Sequence, residues 1–141
     1  MPTRIFGEPI KRAEDPRLLT GRGRYTDDID LPGQLHVAFL RSPLAHARIR
    51  SIDVSAARDM PGVVAVWTYA DIGPCQRRMP LLIPHPDLTH PYTRYALAKD
   101  EVNHVGEPVA MVIAESRYLA EDAVEAIVVE WEELPPVVDI E

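Results

Sequence analysis

Five histidines, one cysteine and one serine placed four residues before a histidine are the side chains here with the reach to do chemistry. His36, His46, His85, His90 and His104 are the natural ligands of a transition metal. None of them falls in a His-Glu-x-x-His pattern, and no cysteine pair accompanies them. His85 and His90 lie in a proline-rich stretch, where spacing does not fix geometry. Ser42 precedes His46 closely enough to suggest a nucleophile and its base, and Cys75 is a lone thiol. Neither has a third group to orient a base, and a serine followed by proline is commonly a turn residue.

The carboxylates and glycines read the same way. Asp27-Asp28-Ile29-Asp30 with Gly33 shares the opening of a calcium loop but lacks its later ligands and closing glutamate, so solvated turn residues are expected. Gly21-Arg22-Gly23 lacks the third glycine, the preceding strand and the following helix of a phosphate-binding turn, and predicts a sharp turn instead. Glu130, Glu132 and Glu133 around Trp131 predict the wet face of a strand. Residue by residue, the sequence assigns no catalytic, no cofactor-binding and no metal-ligating position.

The elements that would position such groups follow from composition and pattern. At 141 residues the chain has the length of one domain, 1–141, large enough to bury a core without staples. Fourteen prolines, about twice average usage, predict short strands and many loops rather than a helical bundle. One cysteine excludes an internal disulfide and an iron–sulfur site, which takes about four thiolates. This fits a reducing, cytoplasmic location. The start lacks the apolar run of a signal peptide, and no uncharged run approaches the ~18 residues of a membrane span.

The net charge of -7 is unevenly spread. Arg4, Lys11, Arg12, Arg17, Arg22 and Arg24 crowd the beginning, whereas residues 100–141 set only Arg117 against twelve carboxylates. A basic stripe with stacking aromatics is missing, which disfavours nucleic acid as a partner.

Residues 1–33 read as an extended lead-in, with one helical turn at Asp15-Pro16-Arg17-Leu18-Leu19 capped by Asp15. Leu35 to Arg41 is apolar on both faces, the pattern of a strand covered on both sides. Ile49, Ile52 and Val54 lie in a second strand. Ser55 to Met60 predicts a short helix capped by Ser55, and Val63 to Trp67 a third strand. Residues 73–94 hold five prolines in a loop with no period, in which Leu81-Leu82-Ile83 has no local place to bury. The organising unit is the last third. Val109 to Ala114 predicts a strand, Ser116 to Ile127 the main helix with Ser116 as cap, and Val128 to Glu132 another strand. Leu119, Ala120, Ala123, Val124 and Ile127 form its buried stripe.

Several ordered segments carry a resemblance. These are Glu14 to Asp28, Leu31-Pro32-Gly33, Arg41-Ser42-Pro43 with Ala45 to Ile49, Pro61 to Val66, Val105 to Ala110, and Leu134 to Asp139. Together they span about residues 7–139, omit the proline-rich loop, and resemble the opening of the large subunit of molybdenum hydroxylases. That family holds xanthine dehydrogenase, aldehyde oxidase and aerobic carbon monoxide dehydrogenase. Asn103-His104 and Trp131 depart from its usual residues.

The resemblance implies an α+β fold, the α/β hammerhead, with a mixed sheet, one main helix and short helical turns. It also implies, for the complete enzyme, a molybdopterin, iron–sulfur clusters and FAD or another acceptor. No cofactor falls to this chain, because the family's pterin loops and catalytic glutamate match no position in it. The partners implied are the cofactor-binding domains or subunit and the iron–sulfur subunit, with neither nucleic acid nor membrane. The chain is then a domain of a longer polypeptide or a separately encoded subunit. Two other classes stand beside this reading: a free-standing protein-binding module that retains the fold, and a small hydrolase using Ser42 or Cys75.

Overall fold

The computed structural model describes residues 7, 9–89 and 91–139, and the chain divides into two compact units, residues 1–34 and 35–141. In the first, helix α1 (Asp15–Leu19) carries proline in its first turn, as expected, but Asp15 does not cap it. The Asp15 carboxylate turns back to accept from the Arg12 backbone N–H at 3.1 Å and from Arg12 Nε at 2.9 Å. Gly21, at φ +68°, makes the sharp turn after the helix. The acidic run is also a turn, in which Asp28 accepts from the Tyr25 N–H at 2.8 Å.

The second unit contains β1 (His36–Arg41), β2 (Ala47–Asp53), α2 (Ser55–Arg58), β3 (Val63–Thr68), β4 (Glu101–Val102), β5 (Pro108–Ala114), α3 (Arg117–Glu125) and β6 (Val128–Glu133). The expected α+β class with one main helix holds. In place of one mixed sheet, the strands form two three-stranded sheets, ordered β1-β5-β3 and β4-β2-β6, with every pairing antiparallel. The reason lies in the strand–helix–strand unit. Its crossover α3 carries the chain from the centre of one sheet to the edge of the other, so β5 and β6 never become parallel neighbours.

Helix α3 starts as its sequence predicts, with the Ser116 hydroxyl accepting from the Leu119 N–H at 3.3 Å. The predicted stripe faces inward, but the closest contact is made by small residues. Ala120 and Ala123 are fully buried against Val66, Ala110, Val112 and Ala114, while Leu119 and Val124 pack around them. Alanines let helix and sheet approach closely, so Leu119 and Val124 contribute less than their full transfer energies. Gly62 lies under Leu119 at φ +83°, and a Cβ there would meet Leu119 Cδ1 at 2.7 Å.

Two further expectations are corrected. Ser55 does not cap α2 but forms its first residue. The upstream Asp53 carboxylate, a stronger acceptor, takes both the Ser55 N–H (2.9 Å) and the Ser55 hydroxyl (2.6 Å). These two bonds hold the Asp53 carboxyl below its ordinary pKa. Strand β1 is not buried on both faces but alternates half-buried with exposed, since the helices cover only one side of its sheet.

A second, smaller core joins the two sheets. Ala47, Ala98, Val102 and Val109 are buried together, with Leu44, Ile49, Ile52 and Trp131 packed around them. The outer face of β2 and β6 is wet, as predicted. Arg48 and Arg50 both reach Glu132, and Ser51 donates to Glu130 at 2.8 Å.

Candidate functional site

The proline-rich segment folds against β4 and the β4–β5 turn to leave an open cleft of about 950 Å3. Its walls are held by side-chain stacking and two local bonds. Met79 N–H donates to the Arg94 carbonyl at 3.0 Å, and the Thr93 hydroxyl donates to the Met79 carbonyl. The Arg78 guanidinium lies over Tyr92 and Tyr95, 4.7 and 5.5 Å from the ring centres. Tyr95 meets Tyr69 edge to face at 5.0 Å. Lys99 pairs with Asp100 at 3.3 Å, and that bond raises its pKa. Of the predicted apolar triplet, Leu81 is half-buried, whereas Leu82 and Ile83 are 95% and 77% exposed.

Below the cleft sits Glu107, a buried carboxylate. Its Oε2 accepts from the Asn103 N–H at 2.7 Å and lies 3.5 Å from His104 Nδ1. Its backbone is equally engaged, for the Ser42 N–H donates to the Glu107 carbonyl and the Glu107 N–H to the His104 carbonyl. Arg94 Nη1 lies 3.4 Å from His104 Nε2. A guanidinium can only donate, so Nε2 supplies the lone pair and Nδ1 carries the proton facing Glu107. This is the orienting half of an acid–base pair with its working nitrogen already engaged by arginine. The Thr93 hydroxyl, tied to Met79, is not offered to it.

His46 is the second polar node. Its Nδ1 meets the Pro135 carbonyl at 2.8 Å and its Nε2 meets Glu101 Oε1 at 2.6 Å. Both partners accept, so the protonated ring can donate to both at once. The Pro135 carbonyl, then Glu101, raise its pKa above 6.5. The ring thereby ties the start of β2 to β4 and to the segment after β6. Engaged at both nitrogens, the imidazole holds backbone in place.

The remaining predicted positions do not assemble. Ser42 is buried, and its hydroxyl donates to the Leu44 carbonyl at 2.8 Å while accepting the Leu44 N–H at 3.0 Å, a closed local turn. Cys75 is exposed in a short 3-10 turn. His36 is half-buried on β1, and His85 accepts from the Asp87 N–H at 3.2 Å. His90 lies outside the described residues. Among the described residues no three His, Cys, Asp or Glu side chains gather to hold a metal, and no helix is long and apolar enough to cross a membrane.

Sequence reasoning missed both polar nodes. Glu107 left one trace, a carboxylate between glycine and proline at the head of an apolar strand. The His46 clamp left none, because its partners lie 55 and 89 residues away.

Comparison with known proteins places this geometry. A sequence model described as the aldehyde oxidase and xanthine dehydrogenase a/b hammerhead domain matches residues 20–135. The nicotine 6-hydroxylase large subunit of Paenarthrobacter nicotinovorans is 49% identical over 96% of this chain and 16% of its own length. Among solved structures, quinoline 2-oxidoreductase from Pseudomonas putida 86 superposes with a TM-score of 0.78 at 50% identity, over 89% of this chain and 16% of that one. A Cu,Mo carbon monoxide dehydrogenase in its carbon monoxide-reduced state gives 0.81 at 44% identity, over 94% and 16%. The chain thus spans about a sixth of the length of the proteins it matches. It belongs to the aldehyde oxidase and xanthine dehydrogenase family of molybdenum hydroxylases, and the fold it builds is that family's α/β hammerhead domain.

Proposed function

We propose that this domain is a structural and docking element of a molybdenum-dependent hydroxylase and carries no reaction step by itself. The observation that supports this most directly is the use to which its polar side chains are put. Ser42, His46, Glu101 and Glu107, the groups that elsewhere would serve as nucleophile, base and orienter, all hold backbone or one another.

The cofactors implied by the family are a molybdopterin, iron–sulfur clusters and FAD or another acceptor. The described residues do not fit a metal centre or cluster: the one thiol is exposed and solitary, and the histidines are dispersed. In this reading those groups belong to cofactor-binding domains and to an iron–sulfur subunit, which are the partners. Arg17, Arg22 and Arg24 with the exposed Leu19 and Tyr25, and the loop bearing Leu82 and Ile83, are surfaces available for docking.

The test is co-expression with the cofactor-binding portion of a molybdenum hydroxylase large subunit. A stoichiometric complex, with no turnover of aldehyde or purine by the chain alone, is expected. A chain that stays monomeric beside that portion contradicts the reading, as does recovery of proteins unrelated to molybdenum enzymes.

A further inference from the structure

The two sheets treat their outer faces in opposite ways. The outer face of β2 and β6 carries Arg48, Arg50, Glu130 and Glu132, as a solvated antiparallel face should. The outer face of the β1-β5-β3 sheet does not. Register places Phe39, Met111 and Trp67 side by side in one row, and Val37, Ile113 and Ala65 in the next. The opposite face, with Ala38, Leu40, Val66, Ala110 and Val112, is the one that packs under the helices. On this outward face Val37 is 50% exposed and Phe39 and Trp67 are 41% exposed each, while Ala65, Met111 and Ile113 are half-buried between them. Six apolar side chains aligned across three strands, with no charge among them, form a contiguous patch of the kind that soluble proteins reserve for partners.

We propose that this outward sheet face is the seat of the domain in its enzyme, and that its occupant is the cofactor-binding remainder of the large subunit. The inference rests on the docking reading above and names the surface that does the docking. Three observations select that occupant. Strand β1 has the sequence of a strand covered on both sides, yet within residues 35–139 only one cover is present. The matched relatives, 44–50% identical, carry this domain as 16% of a much longer chain, so the polypeptide that would supply the second cover exists in them. The patch also has the composition of an interface core, with two aromatics and a methionine and without charge. Arg41 stands at its rim, its guanidinium 5.6 Å from the Phe39 ring centre.

Trp67 makes the proposal measurable. In a Trp131→Phe background it is the single tryptophan, since the chain holds two. The probe is the P. nicotinovorans nicotine 6-hydroxylase large subunit lacking its own matching segment, titrated into the full 141-residue chain. Covering the face should move Trp67 emission to shorter wavelength and protect it from acrylamide. Phe39→Asp should weaken the complex about tenfold or more, and the gentler pair Val37→Thr with Phe39→Thr should weaken it too. Circular dichroism establishes that each variant is folded. Tyr118→Ala, on the far side of α3, should leave binding unchanged.

If a complex forms while Trp67 stays quenchable and the face variants bind as wild type, this surface is refuted and the docking reading stands. If no complex forms, both fall. A dimer of the chain alone that Phe39→Asp dissolves would assign the face to a second copy and overturn the proposal.

Discussion

Removing the carboxylate of Glu107 should cost this domain about 2–3 kcal/mol, and the figure follows from one bond. Glu107 is 2% exposed, and its Oε2 accepts from the Asn103 N–H at 2.7 Å. A hydrogen bond to a charged group contributes about 1.5–3 kcal/mol, and an amide left buried without a partner costs about 1–3 kcal/mol. These describe the same loss and are not summed. Glu107→Ala removes the acceptor and leaves the Asn103 N–H facing a void. Glu107→Gln keeps an oxygen there without the charge, and should cost about 1 kcal/mol.

Urea unfolding of the three proteins measures both numbers. For a domain of this size each kcal/mol lowers Tm by about 3–5 °C, so Glu107→Ala should melt roughly 6–15 °C below wild type. Hydrogen exchange at the Asn103 amide should accelerate more than exchange in the core of β5. A Glu107→Ala protein within about 0.5 kcal/mol of wild type, the spread of ordinary surface substitutions, would refute the reasoning. Equal loss in Glu107→Gln and Glu107→Ala would assign the effect to charge rather than to the bond.

Other consequences can be checked with the same unfolding assay. Gly62→Ala forces a side chain onto a backbone at φ +83° and against Leu119 Cδ1; a loss of about 1–3 kcal/mol is expected, and Leu119→Ala in that background should recover part of it. Ala123→Leu overfills the closest contact between α3 and its sheet and should cost about 1–3 kcal/mol, whereas Glu121→Leu on the wet side should not. The His46 pKa is raised on folding, so its contribution is fully present below about pH 6.5 and fades as pH rises through the folded value. The stability gap between wild type and His46→Gln should therefore narrow from pH 6 to pH 9; parallel profiles would contradict the clamp, as would an NMR titration midpoint at or below 6.5.

What could be read in the sequence was whatever is local. The Ser116 cap, the stripe of α3 from Leu119 to Val124 and the turns at Gly21 and Asp28 were all legible, because each depends on neighbours within a few positions. The division into two sheets was not, since Val109–Ala114 and Val128–Glu132 look alike as strands and only tertiary pairing sends them to different sheets. The same limit hid the His46 clamp. Strand β1 is the instructive case. Its pattern specified two covers, but within residues 35–139 only the inner face is packed, and Phe39 is left exposed on the other.

The claim at the centre of this account is that the domain supports a reaction carried out elsewhere. The most direct measurement is the molybdenum and pterin content of the purified chain, alone and after co-expression with the cofactor-binding portion of a large subunit. The account predicts a colourless, molybdenum-free protein in the first case and a one-to-one complex containing the metal in the second. Stoichiometric molybdopterin on the isolated chain, or its turnover of an aldehyde or a purine unaided, would contradict it.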